Sequence, residues 1–440
     1  MTTILLVGAF LFADEKVPLS PSLKRTIYVS AIISSVIGSA LFPPTTLIIL
    51  NYANAFLSVA FALRAHELLL AGKPTQLRRL VKVDDGSSTP EYVWRCLPPA
   101  LTLGRLFSVF DLLINPRGIG WAHGSKRYLP QLVRTNANSR NGHHAKAEIH
   151  QENERFILKE TTQSRVSFLA EEGLKLFIAY LVYDAYSVVF GLNYTALCTN
   201  FHSFLNGPQL LQFELRYLGR QLRPSPETSA RLVRRFLLPP ACWAACYAFI
   251  DGIRAAVALL DVGALYIIAP KRASDPWMYP PVFGPWRYMF WPRLKDIWGK
   301  LWHDLCRRTL ISSSSALIPR QTPVALGRFL VGFLSFVISG VVHAAGTYAV
   351  SKDPRAVLMM MVFFILLPLF IALQEAVSVQ VLERLLPDWY ITRTLIWVVD
   401  VTYLIWWGYH TAPWFFSYSM IPESLASAPV PERWSFWQRS

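Results

Sequence analysis

Ala356-Val-Leu-Met-Met-Met-Val-Phe-Phe-Ile-Leu-Leu-Pro-Leu-Phe-Ile-Ala-Leu373 is a run without a single charge. As a helix rising about 1.5 Å per residue, it covers most of a bilayer core, which takes roughly 20 apolar residues. Val324–Val350, just upstream, exceeds that length. Apolar segments recur outward from this pair: Ile4–Ala13, Ile27–Phe42, Thr45–Leu63, Leu174–Phe190, Phe236–Ala269 and Ile391–Tyr409. The expected fold is all-α, a polytopic transmembrane helical bundle of about seven to nine spans.

Composition agrees. Of 440 residues 53% are hydrophobic and 16% charged, with a mean hydropathy of +0.32. A soluble chain carries about 25% charged residues. The net charge of +15 does not require a polyanion, because the basic residues cluster between segments: sixteen Lys or Arg from Arg64 to Arg165, nine from Lys271 to Arg320. Loops enriched in this way stay in the cytoplasm. The expected partner is therefore the lipid bilayer and not nucleic acid. Five cysteines (Cys96, Cys198, Cys242, Cys246, Cys306) are too scattered for a disulfide framework, and none has zinc spacing.

Three regions follow: residues 1–70, N-terminal transmembrane helices; 71–172, a basic cytoplasmic region with amphipathic segments such as Leu101–Leu113; and 173–440, the remaining core. Met1–Ala13 lacks the basic residue that precedes the apolar run of a cleaved signal, so a short first helix is expected. Gly86–Pro90 reads as a turn and Asn136–Gln151 as a mobile loop, in which His143, His144 and His150 are solvated. Asp251-Gly-Ile-Arg254 interrupts Phe236–Ala269, either as a polar kink in one helix or as a break between two. Keeping both basic regions on one side of the membrane favours the kink. Asn193-Tyr-Thr195 would then face the lumen as a sequon close to the membrane.

Two histidines carry the chemistry. His343 lies sixteen residues into Gly327–Val350, about 24 Å along a straight helix. An ionisable group at that depth is a functional hypothesis by default. An imidazole suits taking a proton from a hydroxyl and passing it on; the alternative is a histidine bonded to a neighbouring helix's carbonyl. His303 closes Trp298-Gly-Lys-Leu-Trp-His303, expected as an amphipathic helix. Trp298 and Trp302 would share one face with Leu294, Leu301 and Leu305. His303 and Arg307 would share another, with Asp304 and Arg308 beside them. Interfacial anchoring explains the indoles. It does not explain a histidine, an aspartate and two arginines on one turn. Asp184, Glu375 and Asp400, in or beside apolar spans, either pair with arginines or line a passage.

Trp298-Gly-Lys-Leu-Trp-His303 followed by Ser339-Gly-Val-Val-His343 resembles the membrane-bound O-acyltransferase superfamily, in its wax synthase-like branch. Arg117-Gly-Ile-Gly-Trp121 is similar to a motif of the fungal members. The resemblance covers roughly Asn115 to Tyr409. It implies an acyltransferase core over 173–440 with an internal tunnel, His343 as catalytic histidine, and His303 as the second polar residue of the site. It also implies acyl transfer, acetyl before long chains, from a coenzyme A ester to an apolar alcohol such as a terpenoid or polyketide product. The location would be the endoplasmic reticulum. No cofactor is bound permanently; acetyl-CoA is a co-substrate. Trp298, Trp302 and Asp304 would contact substrate, and Arg307 and Arg308 would meet coenzyme A phosphates, although positive-inside snorkelling also accounts for the arginines. The Arg117–Trp121 turn would lie beside the donor's entry or simply at the surface.

No Gly-x-Ser-x-Gly elbow is present, so a ternary complex without a covalent enzyme intermediate is expected. That requires the Trp286–Arg308 stretch to dip toward His343. A long-chain wax or sterol ester synthase is the rival within the class; a secondary transporter and a non-catalytic scaffold are the rivals outside it.

Overall fold

A computed structural model describes residues 2–14, 19–42, 44–71, 77–83, 91–124, 128–134, 155–158, 163–192, 225–268, 274–290, 292–378, 390–426 and 434–436. The Gly86–Pro90 turn, the Asn136–Gln151 loop with its three histidines, and the Asn193 sequon lie outside the described residues.

The chain opens with helices α1 (Thr2–Ala13), α2 (Pro21–Leu41) and α3 (Ile48–Ala65). Ser20 caps α2 by accepting from the Leu23 amide, and Pro21 gives up no bonded N–H in the first turn. Strands β1 (Arg78–Val83) and β2 (Glu91–Cys96) follow, then α4 (Leu103–Ile114), β3 (Leu132–Arg134) and β4 (Arg155–Leu158). The rest is helical: α5 (Arg165–Tyr186), α6 (Leu238–Ala258), α7 (Arg307–Ala316), α8 (Val324–Ser351), α9 (Pro354–Glu375), α10 (Tyr390–Tyr418) and α11 (Ile421–Ala426).

The expectation of an all-α chain is corrected here. The four strands form one antiparallel sheet in the order β1-β2-β4-β3, with Leu80 opposite Trp94 and Tyr92 opposite Phe156. Those four side chains share one buried face. Charged residues dominate this region and hide its short strands. Neither Arg78-Arg-Leu-Val-Lys-Val83 nor Glu91-Tyr-Val-Trp-Arg-Cys96 alternates cleanly, since Tyr92, Val93 and Trp94 are all buried; the only strand signal is their valine and aromatic content.

Among the described residues, four helices are long and apolar enough to cross a membrane: Ile48–Leu69, Arg165–Phe190, Val324–Ser351 and Pro354–Ser378. This is an integral membrane protein. The apolar Thr2–Ala13 is short and packs with α2, α3 and α4 around Val7, Leu11, Ile32 and Leu112. Helix α4 buries Arg105 and Ser108 together with Val109 and Leu112, and exposes Leu103, Leu106 and Phe110.

The Phe236–Ala269 region is one continuous helical rod over 226–268, with π-helical turns at Val233–Leu237 and Leu259–Ala264. Its polar interruption is internally neutralised. Arg254 binds Asp251 at 2.6 Å and Glu172 of α5 at 2.6 Å. Carboxylates in or beside the other apolar helices also hold the bundle. Asp400 receives Arg293, Gln374 and Ser378, and Glu375 pairs with Lys295. Asp184 accepts from Ser435 and from the Phe436 amide.

Candidate active site

The helix expected through Trp298–Arg308 is broken. A π turn over Ile297–Leu301 closes with the Trp302 amide on the Ile297 carbonyl, and Trp302 itself is extended (φ −65°, ψ 152°). Helix α7 restarts only at Arg307. His303 and Arg307 therefore share no helical face. Trp302, His303 and Leu305 border one cavity, and Asp304 borders a separate recess. The stretch is pinned by a two-stranded pairing, Gly284 N–H to the Leu301 carbonyl at 2.9 Å and Asp304 N–H to that of Val282 at 3.2 Å. A Cβ on Gly284 would sit 1.7 Å from the Lys300 carbonyl oxygen, so the two strands approach only because residue 284 has no side chain.

Arg117 fastens this hairpin to the rest of the protein. Its guanidinium donates to the carbonyls of Pro280 (2.7 Å) and Pro281 (2.9 Å) and pairs with Asp304 at 3.3 Å; Tyr128 donates to the same aspartate. The Arg117–Trp121 turn is thus buried, not superficial. Its chain runs along β1, with the Leu80 amide on the Gly120 carbonyl and the Ala122 amide on that of Arg78.

The cavity, about 790 Å³, lies among α3, α6, α8, α9 and α10. His303, His343, Trp298 and Trp302 all border it, so the hairpin brings two imidazoles forty residues apart in sequence to one space. The lining is otherwise mostly apolar, with Arg64, Asp111, Arg117 and Arg254 as its charged members. Trp302 stacks on Trp243 of α6, with ring centres 5.1 Å apart, and Phe283 meets His303 edge-on at 6.0 Å. His343 is held on three sides. Phe364 of α9 stacks on it at 4.9 Å, Phe56 of α3 meets it edge-on at 5.0 Å, and its Nδ1 lies 3.1 Å from the Tyr52 hydroxyl. Among the described residues, five buried polar atoms of residues that line the cavity have no hydrogen-bond partner: Arg64 Nε, Arg254 Nη1, Trp298 Nε1, Trp407 Nε1 and His303 Nδ1.

Asp304, Arg307 and Arg308 border the second recess, of about 320 Å³, together with Arg117, Tyr128 and Ser312. Arg308 is bound to Glu67 at 2.6 Å and Arg307 donates to the Gly299 carbonyl. Arg117 borders both spaces. Cys306 lines the large cavity, but burial pushes its thiol up to about 11. It is therefore protonated and a poor acyl carrier.

Burial pushes His303 from 6.5 down to about 4, and His123, on the Arg117 turn, to about 3, with Arg64 adding to the effect. Both enter the fold neutral. Below pH 6.5 the unfolded chain takes up protons that the folded chain refuses until about pH 4 and 3, so these groups make stability fall as pH drops through that window. The melting temperature of detergent-solubilised protein should decline from about pH 7 to about pH 5. A constant value would contradict neutral burial.

Sequence reasoning did not single out Tyr52, Phe56, Trp243 or Trp407. Each sits in an apolar segment where an aromatic residue is ordinary, and only packing reveals that it lines the same cavity as the histidines.

Comparison with known proteins bears out the resemblance. Residues 279–366, which carry the hairpin and His343, match the membrane bound O-acyl transferase family. Relatives include the acetyltransferase eriL of Hericium erinaceus (27% identical over 20% of this chain and 24% of that protein). The O-Mevalon transferase macI of Penicillium terrestre is 33% identical over 22% and 25%, and the acetyltransferase aurG of Calcarisporium arbuscula 25% identical over 58% of each. The chain thus spans between about a quarter and just over half the length of these relatives. No solved structure matches.

Proposed function

We propose that the cavity is the active site of an O-acyltransferase that moves an acetyl group from acetyl-CoA to a hydroxyl of an apolar acceptor, a terpenoid or polyketide-derived secondary metabolite. The observation that carries this reading is the meeting of His303 and His343 in one largely apolar cavity. The named relatives, acetyltransferases among them, support it.

A thioester is already activated, so the protein's task is to align an alcohol with it and remove one proton. His343 accepts the hydroxyl proton as the alcohol oxygen bonds to the thioester carbon. The C–S bond then breaks, and the same proton passes to the departing thiolate. His303, Trp298 and Trp407 surround the space in which the carbonyl oxygen gains charge; their N–H groups are suited to bind it. Water is kept out by the aromatic walls, which protects the thioester from hydrolysis.

In this reading the apolar segments build a bundle of about seven to nine spans in the endoplasmic-reticulum membrane, with a tunnel from the cytoplasmic recess to His343. Arg307, Arg308 and Arg117 then meet the phosphates of coenzyme A at the recess. Arg307→Ala should raise the KM for acetyl-CoA about tenfold with little change in kcat, the loss expected of one charged hydrogen bond. An unchanged KM would remove the arginine from the donor site.

The decisive experiment incubates membranes containing the protein with radiolabelled acetyl-CoA and a panel of apolar alcohols, then repeats it with palmitoyl-CoA. Ester formation from acetyl-CoA supports the proposal. Ester from palmitoyl-CoA alone would make the protein a long-chain ester synthase, and no ester from either donor would overturn the enzymatic reading.

A further inference from the structure

We propose that the short helix α11 is the floor of the acceptor subsite, and that Ile421 and Leu425 on it set the size of the alcohol the protein acylates. This inference rests on the acetyl-transfer reading and deepens it by assigning one arm of the cavity to each substrate. Ile421 and Leu425 act here as specificity-determining residues.

The cavity has two unlike ends. Its lining residues on α3 run from Ile49 to Arg64, a rise of about 22 Å, and those on α6 from Pro239 to Val257, about 27 Å. Both rows begin at α11, where Ile49, Cys242, Phe416, Ile421 and Leu425 pack in one cluster. Their far ends meet at the Arg117 turn. Arg64 reaches the Asn115 carbonyl at 3.5 Å. Tyr279, which donates to Asp261 just beyond α6, leads into Pro280 and Pro281, whose carbonyls bind Arg117. Arg64, Asp111, Arg117 and Arg254 all belong to this far end. Among the described residues, none that lines the cavity at α11 is charged.

His343 divides this space unequally. Tyr52 and Phe56 of α3 lie against it, three and seven residues from Ile49 but twelve and eight from Arg64. Their height is fixed, because the Tyr52 ring rests on the α8 backbone, where a Cβ on Gly346 would sit 2.8 Å from its Cζ. Along α3 the arm toward α11 is thus about 5–10 Å long, and the arm toward the arginines about 12–18 Å.

The reagents divide in the same way. Coenzyme A carries phosphates at one end of an extended pantetheine arm and the thioester at the other, so the long arm with arginines at its mouth suits it. An acetyl group reaches only one methyl carbon past the thioester carbonyl and leaves the short arm empty. The only hydroxyl lining that arm's floor, Ser424, already donates to the Met420 carbonyl. A polar group buried there without a partner would be costly. The arm therefore suits a compact hydrocarbon skeleton with its hydroxyl at the His343 edge.

The floor is also held in place. Met420, left-handed at φ 58°, separates α11 from α10. Thr347 of α8 donates to the Ser419 carbonyl at 3.0 Å. Tyr183 and Tyr186 of α5 donate to the carbonyls of Leu425 (2.8 Å) and Pro422 (3.4 Å). With its main chain fastened from two helices, α11 fixes the depth of the arm through its side chains.

The test changes Ile421, which is only half-buried, and leaves the core residue Leu425 alone. Ile421→Trp makes the arm shallower and Ile421→Ala makes it deeper. Membranes receive acetyl-CoA with the two panel alcohols of most different size that wild type esterifies, beginning with geraniol and geranylgeraniol. In Ile421→Trp the kcat/KM ratio of the larger to the smaller alcohol should fall at least about tenfold, the lower end of what a methylene-sized change in an apolar pocket brings. The KM for acetyl-CoA should stay within about twofold. Ile421→Ala should move the ratio the opposite way, and it decides alone if Ile421→Trp does not fold. The variants are also given hexanoyl-CoA against acetyl-CoA with one alcohol. A changed donor preference beside an unchanged acceptor ratio would assign the short arm to the acyl chain and overturn the proposal. Wild-type acceptor ratios in both variants would overturn it equally. No ester from wild type with any alcohol overturns the acyltransferase reading itself, whereas an active wild type whose acceptor choice ignores residue 421 overturns the acceptor floor alone.

Discussion

Replacing His343 with alanine lowers kcat for acyl transfer by about 10²–10⁴-fold, the usual worth of a positioned general base. The loss should appear in kcat at saturating acetyl-CoA and acceptor, because the recess proposed to hold the donor's phosphates is untouched. His343 packs between Phe56 and Phe364, so alanine also leaves a hole in the aromatic cluster. His343→Gln separates the two effects. It fills most of the space yet accepts no proton near neutral pH, and it should be as inactive as the alanine variant while melting closer to wild type. Either variant turning over at the wild-type rate removes His343 from the chemistry.

Gly284→Ala should be damaging without touching any proposed reacting atom. The added carbon would stand 1.7 Å from the Lys300 carbonyl oxygen, and the obstacle is main chain, which cannot swing aside like a side chain. Both strands must separate by more than an ångström, which breaks the Gly284–Leu301 and Asp304–Val282 bonds. Overpacking alone costs about 1–3 kcal/mol. With the lost hydrogen bonds, a total of at least about 3 kcal/mol is expected. The hairpin carries His303, so surviving protein should also be slow. Thermal denaturation in detergent and kcat on the folded fraction check both statements, and a wild-type melting temperature would refute the first.

How much of this was legible in the residues depended on the kind of signal. The helices of the bundle announce themselves as apolar runs, and each expected segment is helical over most of its described length. His303 and His343 were visible because a titratable group among apolar residues is conspicuous. The sheet was not, because its strands are short, do not alternate cleanly and are set among arginines and lysines. The break at Trp302 was equally hidden. Trp298-Gly-Lys-Leu-Trp-His303 has helical spacing, and what unwinds it is the pairing of 301–304 with 282–284, a contact with a different part of the chain. The same holds for Tyr52, which becomes informative only once Gly346 has let it lie against α8.

The walls of the cavity also bear on how the protein can be dissected. The stretch detected by family comparison, 279–366, holds both histidines, Trp298 and Trp302. Tyr52, Phe56, Trp243, Trp407 and Phe415 come from outside it, on both sides. A fragment cut at those limits would keep two imidazoles and lose the surfaces that turn and shelter them. Truncation experiments should therefore retain the first three helices and the tenth, since the smallest working piece of this molecule is much larger than its recognisable signature.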